Sequence, residues 1–406
     1  MNEKQPENRM AERETLWRLA SDSKQEWLSF AQRLIQTPSL PGDEGEVAAI
    51  IQEEMHRLGF GQVWADAVGN VIGMMSGDGG ASVLFNGHMD VVDPGPVDGW
   101  QYHPYSGHID GDWLWGRGAS DMKAALALQV YSLGLLRRAG YSFPGDRYVT
   151  AVVFEETGGL GTRALVKELK ADMAIVGEAT SNQLARGHRG RLELIVRVKG
   201  RSAHASVPQR GANPHYSIAQ FLSRLSELDM AQDADFGSST VAPTLYRTDQ
   251  TSANVIPGEV TLYLDWRNVP SETPEDALAK LRPLLASSLQ DGCHGSVELN
   301  VSRFRTYTGY EQEMTREFPG FVLPADHPLV LKAQAVLQSY LGRDVSVITW
   351  RFATDGAYLV QSGTPTIGFS PASDLYPHTN EERIAIQDMV EGLVGYMGLA
   401  LELGRA

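Results

Sequence analysis

The sequence is poor in cysteine, because Cys293 is the only one among 406 residues. A single cysteine excludes an internal disulfide and a metal site built from several thiolates. Long apolar runs are absent too, and no segment reaches the roughly 18 apolar residues that a membrane span needs. Residues 1–24 are polar and mixed in charge, and they lack the apolar centre of a signal peptide. These absences favour a cytoplasmic protein with no membrane partner.

Basic residues are also scarce, with 35 Lys and Arg against 50 Asp and Glu and a net charge of -15. Phosphate backbones bind clustered Lys and Arg, so this balance argues against a nucleic-acid partner. The Gly-x-Ser-x-Gly elbow of many serine hydrolases does not occur, and nothing around Cys293 supports it as a nucleophile. A hydrolase built on a serine or cysteine nucleophile is therefore not indicated.

Hydrophobic residues make up 42% of the chain and charged residues 21%, as in globular proteins with a sizeable core. A chain of 406 residues exceeds one ordinary core, which predicts two domains. The pattern changes near residue 187, where strand, helix, strand, helix and strand follow one another before the earlier α/β pattern resumes. We therefore predict an α/β catalytic domain of residues 1–187 and 303–406, interrupted by an inserted two-layer α/β unit of residues 188–302.

Acidic residues and a histidine occur where the predicted strands end. His88 closes one apolar run, Glu155 and Glu156 close another, and Glu178 closes a third. Ligands of open α/β sheets gather outside the carboxyl ends of the strands, so we expect these side chains to lie together. Taken singly, His88 has the alternative of a buried core histidine, and Asp121 that of a plain helix N-cap.

Asp90 stands two residues after His88, so both side chains point the same way in an extended segment. A ligating histidine commonly donates its second N–H to a carboxylate, which fixes its tautomer. The glycine-rich segment after Glu156 offers a phosphate cradle as an alternative, but the adjacent carboxylates would repel a phosphate. A metal ion that receives the paired carboxylates is the better interpretation.

The candidate metal ligands comprise two imidazoles and three carboxylates, with Glu155 left over. Such an inventory suits two divalent ions about 3.5–4 Å apart that share a bridging carboxylate. Imidazole and carboxylate ligands favour Zn²⁺, with Co²⁺ or Mn²⁺ as alternatives. The candidates are His88, Asp121, Glu156, Glu178 and His378.

Five ordered blocks carry a resemblance to the co-catalytic zinc hydrolase family of acetylornithine deacetylase, succinyl-diaminopimelate desuccinylase, aminoacylase and glutamate carboxypeptidase. The inserted unit matches this family at residues 200–208, and residues 186–191 and 352–356 resemble its branch linked to selenium metabolism. The blocks are Gly87-His88-Met89-Asp90, Gly116-Arg117-Gly118-Ala119-Ser120-Asp121-Met122-Lys123, Glu155-Glu156-Thr157, Gly177-Glu178 and Pro377-His378-Thr379-Asn380-Glu381.

The resemblance implies a fold and an assembly. It implies a zinc-exopeptidase-like catalytic domain, with a mixed, mostly parallel sheet between helices. The inserted unit would be a lid through which two copies form a homodimer. His204 on this lid would stabilise the oxyanion, reaching the metal site of the partner subunit.

The resemblance also implies catalytic roles. Asp90 would orient His88, and Glu155 would be the general base that takes a proton from a bridging water and returns it to the leaving amine. The five ligands would divide between two ions, with His88 and Glu178 on one, Glu156 and His378 on the other, and Asp121 bridging both.

Substrate contacts are predicted on the lid and in the second catalytic segment. Asn254 and Arg267 match lid positions that grip a substrate carboxylate, and arginine suits such a bidentate contact. A structural salt bridge is the alternative for Arg267. The block at residues 351–356 departs from the Gly-Gly-Thr run of the two named deacylases. We predict that Arg351 and Thr354 bind substrate there, which leaves acyl specificity open.

The predicted function is metal-dependent hydrolysis of the amide bond of a small N-acyl amino acid. One alternative is a dipeptidase or carboxypeptidase acting on a peptide bond. Another, outside the enzymes, is a peptidase-like protein that only binds its ligand. The presence of all five candidate ligands and of Glu155 argues against the binding protein.

Overall fold

The computed structural model describes residues 6–405. Within that range no helix combines the length and the apolar composition that a membrane crossing requires. The first part of the chain contains the helices α1 Pro6–Asp22, α2 Lys24–Gln36, α3 Gly45–Arg57, α4 Lys123–Arg138, α5 Glu155–Gly158 and α6 Leu160–Glu168. Its strands are β1 Gln62–Ala65, β2 Val71–Met75, β3 Gly80–His88, β4 His108–Asp110, β5 Trp113–Trp115, β6 Gly145–Val152, β7 Met173–Val176 and β8 Leu184–His188.

The middle of the chain is rich in strands. Its helices are α7 Pro214–Arg224 and α8 Pro274–Ala286. Its strands are β9 Arg191–Lys199, β10 Ala203–His204, β11 Gln232–Asp233, β12 Gly237–Ser238, β13 Thr240–Thr248, β14 Val255–Ile256, β15 Glu259–Arg267 and β16 His294–Leu299.

The last part of the chain returns to alternating strands and helices. Its helices are α9 Pro328–Leu341, α10 Gly356–Gln361 and α11 Ile386–Glu402. Its strands are β17 Val301–Arg305, β18 Glu311–Thr315, β19 Glu317–Phe318, β20 Phe321–Val322, β21 Val347–Trp350, β22 Thr366–Gly368 and β23 Arg383–Ala385.

A mixed nine-stranded sheet forms the centre of the catalytic part, in the order β1-β2-β6-β3-β7-β22-β8-β20 with β21 beside β8. Strands β6, β3, β7 and β22 are parallel to one another, and antiparallel pairs flank them. The central strand β3 is buried from Val83 to His88, as expected of a parallel strand with both faces covered. This architecture confirms the predicted α/β class with a mixed sheet.

Helices cover the sheet and bury its apolar side chains. The long helix α4, rich in Ala and Leu, packs against α2 and α11, and α11 also contacts α9. Their buried side chains form one large cluster, whereas apolar residues of α6 and α10 join a smaller one with the sheet. Helix α2 shows why the pattern predicted a helix, because its buried residues, among them Trp27, Ala31 and Leu34, recur at helical spacing.

The inserted unit has its own sheet and its own apolar cluster. The sheet has the order β13-β15-β9-β16, with β19 also paired to β9. Side chains of β15 alternate between buried and half-buried, and the buried ones pack with those of α7 and α8. Because β19 lies beyond residue 302, we propose that this lid extends to Phe318 rather than ending at the predicted boundary.

The chain crosses between the lid and the catalytic part at two adjacent places. Two residues join β8 to β9, and two residues, Pro319 and Gly320, join β19 to β20. A Cβ atom at Gly320 would lie 2.8 Å from the backbone nitrogen of Gly190 on the other crossing. The two crossings therefore approach so closely that only glycine fits at position 320 without movement.

Candidate metal centre

The predicted ligands come from the carboxyl ends of neighbouring strands. His88 ends β3 and lies opposite Val152 at the end of β6, so Glu155 and Glu156 follow at the same edge of the sheet. On the other side of β3, Asn86 pairs with Val176 at the end of β7, and Glu178 follows two residues later. The register of three parallel strands thus brings these side chains together, as the sequence predicted.

Asp121 lies between two imidazoles that are 290 positions apart in the chain. Its Oδ1 atom is 2.9 Å from Nε2 of His88, and its Oδ2 atom is 3.1 Å from Nε2 of His378. Each oxygen therefore faces a different imidazole, which is the arrangement that a bridging carboxylate requires.

The other two carboxylates complete a pair of sites on either side of Asp121. Glu178 Oε1 lies 3.3 Å from Nε2 of His88, and Glu156 Oε2 lies 3.0 Å from Nε2 of His378. The His88 side is buried, whereas the His378 side chain is 53% exposed. Two pairs of donor groups thus lie on either side of Asp121, one buried and the other open to solvent.

The spacing of these donor atoms fits divalent metal ions. Atoms 2.0–2.2 Å from a tetrahedrally coordinated zinc ion lie roughly 3.3–3.6 Å apart, a little more than the separations of 2.9–3.3 Å found here. Ligand atoms of His88, Asp121 and Glu156 lie within 4.8 Å of one another, as do those of His88, Glu155 and Glu178. The residues present therefore suit a dinuclear metal centre.

The tautomer of His88 supports the same conclusion. Its Nδ1 atom lies 2.8 Å from the backbone carbonyl oxygen of Asp90, and a carbonyl can only accept, so Nδ1 carries the hydrogen. Nε2 then directs either a lone pair or a second proton at Asp121 and Glu178. A lone pair in that position is what a metal ion binds.

The pKa shifts of the ligands show that the centre favours bound positive charge. Burial, together with the nearby Asp121 carboxylate, raises the pKa of Glu178 and raises that of Glu156 to about 7. Hydrogen bonds to Asp121 and Glu156 raise the pKa of His378 to about 10. A metal ion at His378 would displace that proton, so metal binding releases protons and is favoured by higher pH.

Glu155 lies in the same buried cluster but outside the pairs of ligands. Burial first, and then the charges of Asp355 and Glu178, raise its pKa well above the usual range. A carboxylate with a raised pKa is a stronger base, which suits the predicted role in proton transfer.

Asp90 supports the site differently from the sequence expectation. Its carboxylate Oδ1 lies 3.8 Å from Nδ1 of His88, beyond hydrogen-bonding distance, and the backbone carbonyl makes the contact instead. The carboxylate oxygens each accept from one backbone amide, those of Glu155 and Glu156, at 3.1 Å. Asp90 therefore orients His88 through its backbone and the two glutamates through its side chain.

Glu382 is a buried residue that the sequence reasoning missed. Its carboxylate pairs with Arg117 and accepts hydrogen bonds from the backbone amides of Gly118, Ser120 and Asp121 at 2.9–3.1 Å. Burial raises its pKa to about 7, although Arg117 opposes the shift. Glu382 thus fixes the loop that presents Asp121. Its position directly after the Asn380-Glu381 motif was the only available signal.

The lid residues lie apart from the five ligands. His204 ends β10 and pairs with Val255 of β14, and Asn254 directly precedes β14; the Asn254 carbonyl accepts from the Ala205 amide at 2.9 Å. Both are exposed, and the His204 ring contacts the Ser206 hydroxyl at 2.7 Å. Among residues 6–405, no hydrogen bond or ion pair joins either residue to the metal centre.

Two predicted substrate-binding residues are already occupied by other contacts. Arg267 forms an ion pair with Asp265 at 2.6 Å, as its structural alternative anticipated. Thr354 is fully buried; its amide donates to Nε2 of His188 at 3.0 Å, and its hydroxyl accepts from the Gly356 amide. Arg351, in contrast, is exposed, and the part of the chain that the structure describes offers it no ion pair.

Comparisons with known proteins agree with this geometry. A family model described as "Peptidase family M20/M25/M40" matches residues 84–402. The chain is 28% identical over 388 residues to the uncharacterized protein YgeY of Escherichia coli strain K12, covering 94% of this chain and 95% of that one. It is 27% identical over 392 residues to a succinyl-diaminopimelate desuccinylase of Hydrogenovibrio crunogenus, covering 90% and 95%. The crystal structure of human carnosine dipeptidase 1 superposes with a TM-score of 0.75 at 16% identity, covering 97% of this chain and 99% of that one.

Proposed function

The chain belongs to peptidase family M20/M25/M40 and is a metal-dependent amide hydrolase, and we propose that it cleaves N-acyl amino acids with two divalent ions, in the first place Zn²⁺. The convergence of His88, Asp121, Glu156, Glu178 and His378 around the base Glu155 is the observation that carries this proposal. The desuccinylase among the relatives supports the acyl amino acid class.

The chemistry assigns a task to each part of the site. When bound, divalent ions lower the pKa of a water and polarise the scissile carbonyl. Glu155 takes the proton from the attacking water and then delivers it to the leaving nitrogen, which converts a poor leaving group into an amine. Asp90 keeps Glu155 in place through the backbone amide, so that the carboxylate need not reorganise during proton transfer.

A substrate screen on metal-loaded protein tests this function. Protein reconstituted with zinc, cobalt or manganese would be assayed with N-acetyl and N-succinyl amino acids beside dipeptides, and we expect hydrolysis of acyl amino acids. Faster cleavage of dipeptides would favour the exopeptidase alternative, to which the dipeptidase fold of a structural neighbour also points. A wild-type protein that binds metal but cleaves nothing in either panel would instead be a binding protein.

Arg351 is the residue that we propose to bind the substrate carboxylate. It is exposed and lacks an ion-pair partner among residues 6–405, whereas Arg267 already pairs with Asp265. Arg351 also stands three residues before Thr354 and four before Asp355, whose charge reaches Glu155. We propose that Asn254 adds a polar contact from the lid and that Thr354 shapes the pocket.

Replacing Arg351 by glutamine is expected to raise KM for N-acyl amino acids about 10- to 100-fold and to change kcat little, because a hydrogen-bonded charge contact is lost from ground state and transition state alike. Steady-state kinetics with N-acyl amino acids and with the corresponding amides, which lack the carboxylate, measure this effect. The KM for the amides should be the same in Arg351→Gln and in wild type, because these substrates have no carboxylate to bind. A rise in KM for Arg267→Gln but not for Arg351→Gln would move carboxylate binding to the lid.

The lid carries the surface that we propose for a homodimer. Strand β13 lies at one edge of the lid sheet and is exposed along most of its length. Its Leu245 and Tyr246 are each 41% exposed, and Tyr216 of α7 is 67% exposed. An open edge strand with apolar side chains offers backbone and side-chain contacts to a second copy. In such a dimer we propose that His204 of one protomer serves the metal centre of its partner.

Mixed dimers test the role of His204 across the interface. Glu155→Ala and His204→Ala protein, each nearly inactive, would be mixed, unfolded and refolded together. If His204 acts in the partner's site, one site of each mixed dimer is intact, and about a quarter of the wild-type activity returns for random two-fold pairing. Each variant refolded alone is the control. No recovery despite mixed dimers, detected by a tag on one variant, would place His204 in the site of its own chain.

A further inference from the structure

The turn that carries Glu155 and Glu156 is held by its backbone amides. The amides of Glu155 and Glu156 donate to the two carboxylate oxygens of Asp90, each at 3.1 Å. The amide before them, that of Phe154, donates to Oε1 of Glu44 at 3.3 Å. Two buried carboxyl groups from distant parts of the chain therefore hold three successive amides in front of the metal centre.

Phe154 needs such support because its backbone is left-handed, with φ 56 and ψ 33. This region is sterically unfavourable for a non-glycine residue, and a bulky aromatic residue adopts it only when its surroundings impose it. Strand β6 ends at Val152, two residues before the apolar run does, because Phe154 turns the chain away from the sheet. The same turn points Glu155 and Glu156 at the ligand cluster.

Three contacts hold Phe154 in this conformation. Its carbonyl accepts from the Gly159 amide at 2.8 Å, which closes the short helical turn. Its ring packs edge-to-face on Phe304, with centroids 5.6 Å apart. Its amide is held by Glu44, which is the only one of the three contacts made by a polar side chain.

Glu44 is an unusual residue to find buried at this place. It is fully buried at the start of α3, and its second oxygen, Oε2, has no hydrogen-bond partner among the described residues. Burial, reinforced by the charge of Asp90, raises its pKa to about 8. A carboxyl group is expensive to keep in such a position. Glutamine would keep the acceptor oxygen, whereas alanine would remove it.

We propose that Glu44 is a positioning residue, which holds Phe154 in its left-handed turn and so sets the placement of Glu155 and Glu156. The assignment rests on the proposed function, in which Glu155 is the base and Glu156 a ligand. Without the Glu44 contact, the Phe154 backbone is free to relax towards the extended conformation of the preceding strand. That relaxation would rotate Glu155 and Glu156 away from the ligand cluster. Only the hydrogen bonds of Asp90 to their amides would then oppose the rotation.

The test compares Glu44→Ala and Glu44→Gln with wild type in two readouts. Amide hydrogen exchange of a peptide covering residues 153–157 reports on the turn itself and needs no activity. Glu44→Ala should accelerate this exchange, lower kcat about 10- to 100-fold, as loss of a supporting partner of a metal site does, and leave KM nearly unchanged. Glu44→Gln should remain within about threefold of wild type in kcat, because it keeps a neutral acceptor for the Phe154 amide.

A matched control separates positioning from stability. Ile51 lies on the helix that Glu44 precedes, and Ile51→Ala removes a fully buried aliphatic side chain that forms none of the turn's hydrogen bonds. It should lower the midpoint of thermal unfolding as much as Glu44→Ala does, yet leave both exchange at residues 153–157 and kcat unchanged.

Three results would overturn the proposal. The first is unchanged exchange and kcat in Glu44→Ala, and the second is an equal change of exchange and kcat in Ile51→Ala. A third would be a Glu44→Gln variant that behaves like Glu44→Ala. If wild type hydrolyses none of the substrates, the proposed function fails, and the exchange measurements still decide whether Glu44 holds the turn.

Discussion

Replacing Glu155 by glutamine is expected to lower kcat about 10⁴-fold, the upper end of what general acid–base catalysis contributes. The effect should be this large because one carboxylate serves twice, first as the base for water and then as the acid for the leaving nitrogen. Glutamine fills the same buried space and accepts hydrogen bonds, but it cannot take up a proton. Metal content and KM should therefore stay near the wild-type values. Steady-state kinetics and elemental analysis of the same preparation measure both.

A buried glutamate outside the site provides the control for this experiment. Glu54 is 7% exposed and is bound by Arg57 and Tyr131, away from the metal centre. Glu54→Gln likewise replaces a buried carboxyl group by an amide of the same size and should leave kcat unchanged. Retention of wild-type kcat in Glu155→Gln would mean that another group moves the proton. Asp355, whose charge raises the pKa of Glu155, would be the first residue to examine.

The metal centre could be predicted because its residues follow a regular rule. Each strand-end ligand stands where an apolar run stops, and parallel strands carry such positions to one edge of the sheet. His88, Glu156 and Glu178 are linked in this way through the register of β6, β3 and β7. Asp121 and His378 do not end apolar strands; they were candidates by residue type, and the family motifs then supported them. The sheet and its covering helices were likewise visible in the hydrophobic periodicity.

The supporting residues Glu382 and Glu44 could not be predicted, since both act through contacts to distant parts of the chain. Glu382 reaches the amide of Asp121 from 261 positions away, and Glu44 reaches that of Phe154 from 110 positions away. Neither contact creates a periodicity, and a buried glutamate looks like an exposed one in a sequence. The proposed extension of the lid to Phe318 has no sequence signal for a similar reason, because the two-residue strand β19 is too short to recognise before its partner β9 is known.

The electrostatic role of Asp121 explains why its replacement should disable both halves of the site together. Burial alone would raise its pKa, yet the hydrogen bonds and charges of His378 and His88 outweigh burial and lower it. The carboxylate therefore stays ionised between the two imidazoles, with one oxygen for each. Any ion on the His88 side and any ion on the His378 side would share this one negative group.

Replacing Asp121 by alanine is expected to weaken the binding of both ions and to abolish hydrolysis. A structural zinc site gains about 10–16 kcal/mol from four ligands, so one ligand contributes roughly 3 kcal/mol, or about 100-fold in affinity. Losing the shared ligand is expected to lower the affinity about 100-fold at each of the two metal positions, or about 10⁴-fold for binding both ions. Elemental analysis after dialysis should find less than one ion per chain, whereas Glu178→Ala should keep the ion on the His378 side. Asp172→Asn, at a surface contact with Ser82, should keep the full metal content. Two tightly bound ions in Asp121→Ala would show that the carboxylate does not bridge them.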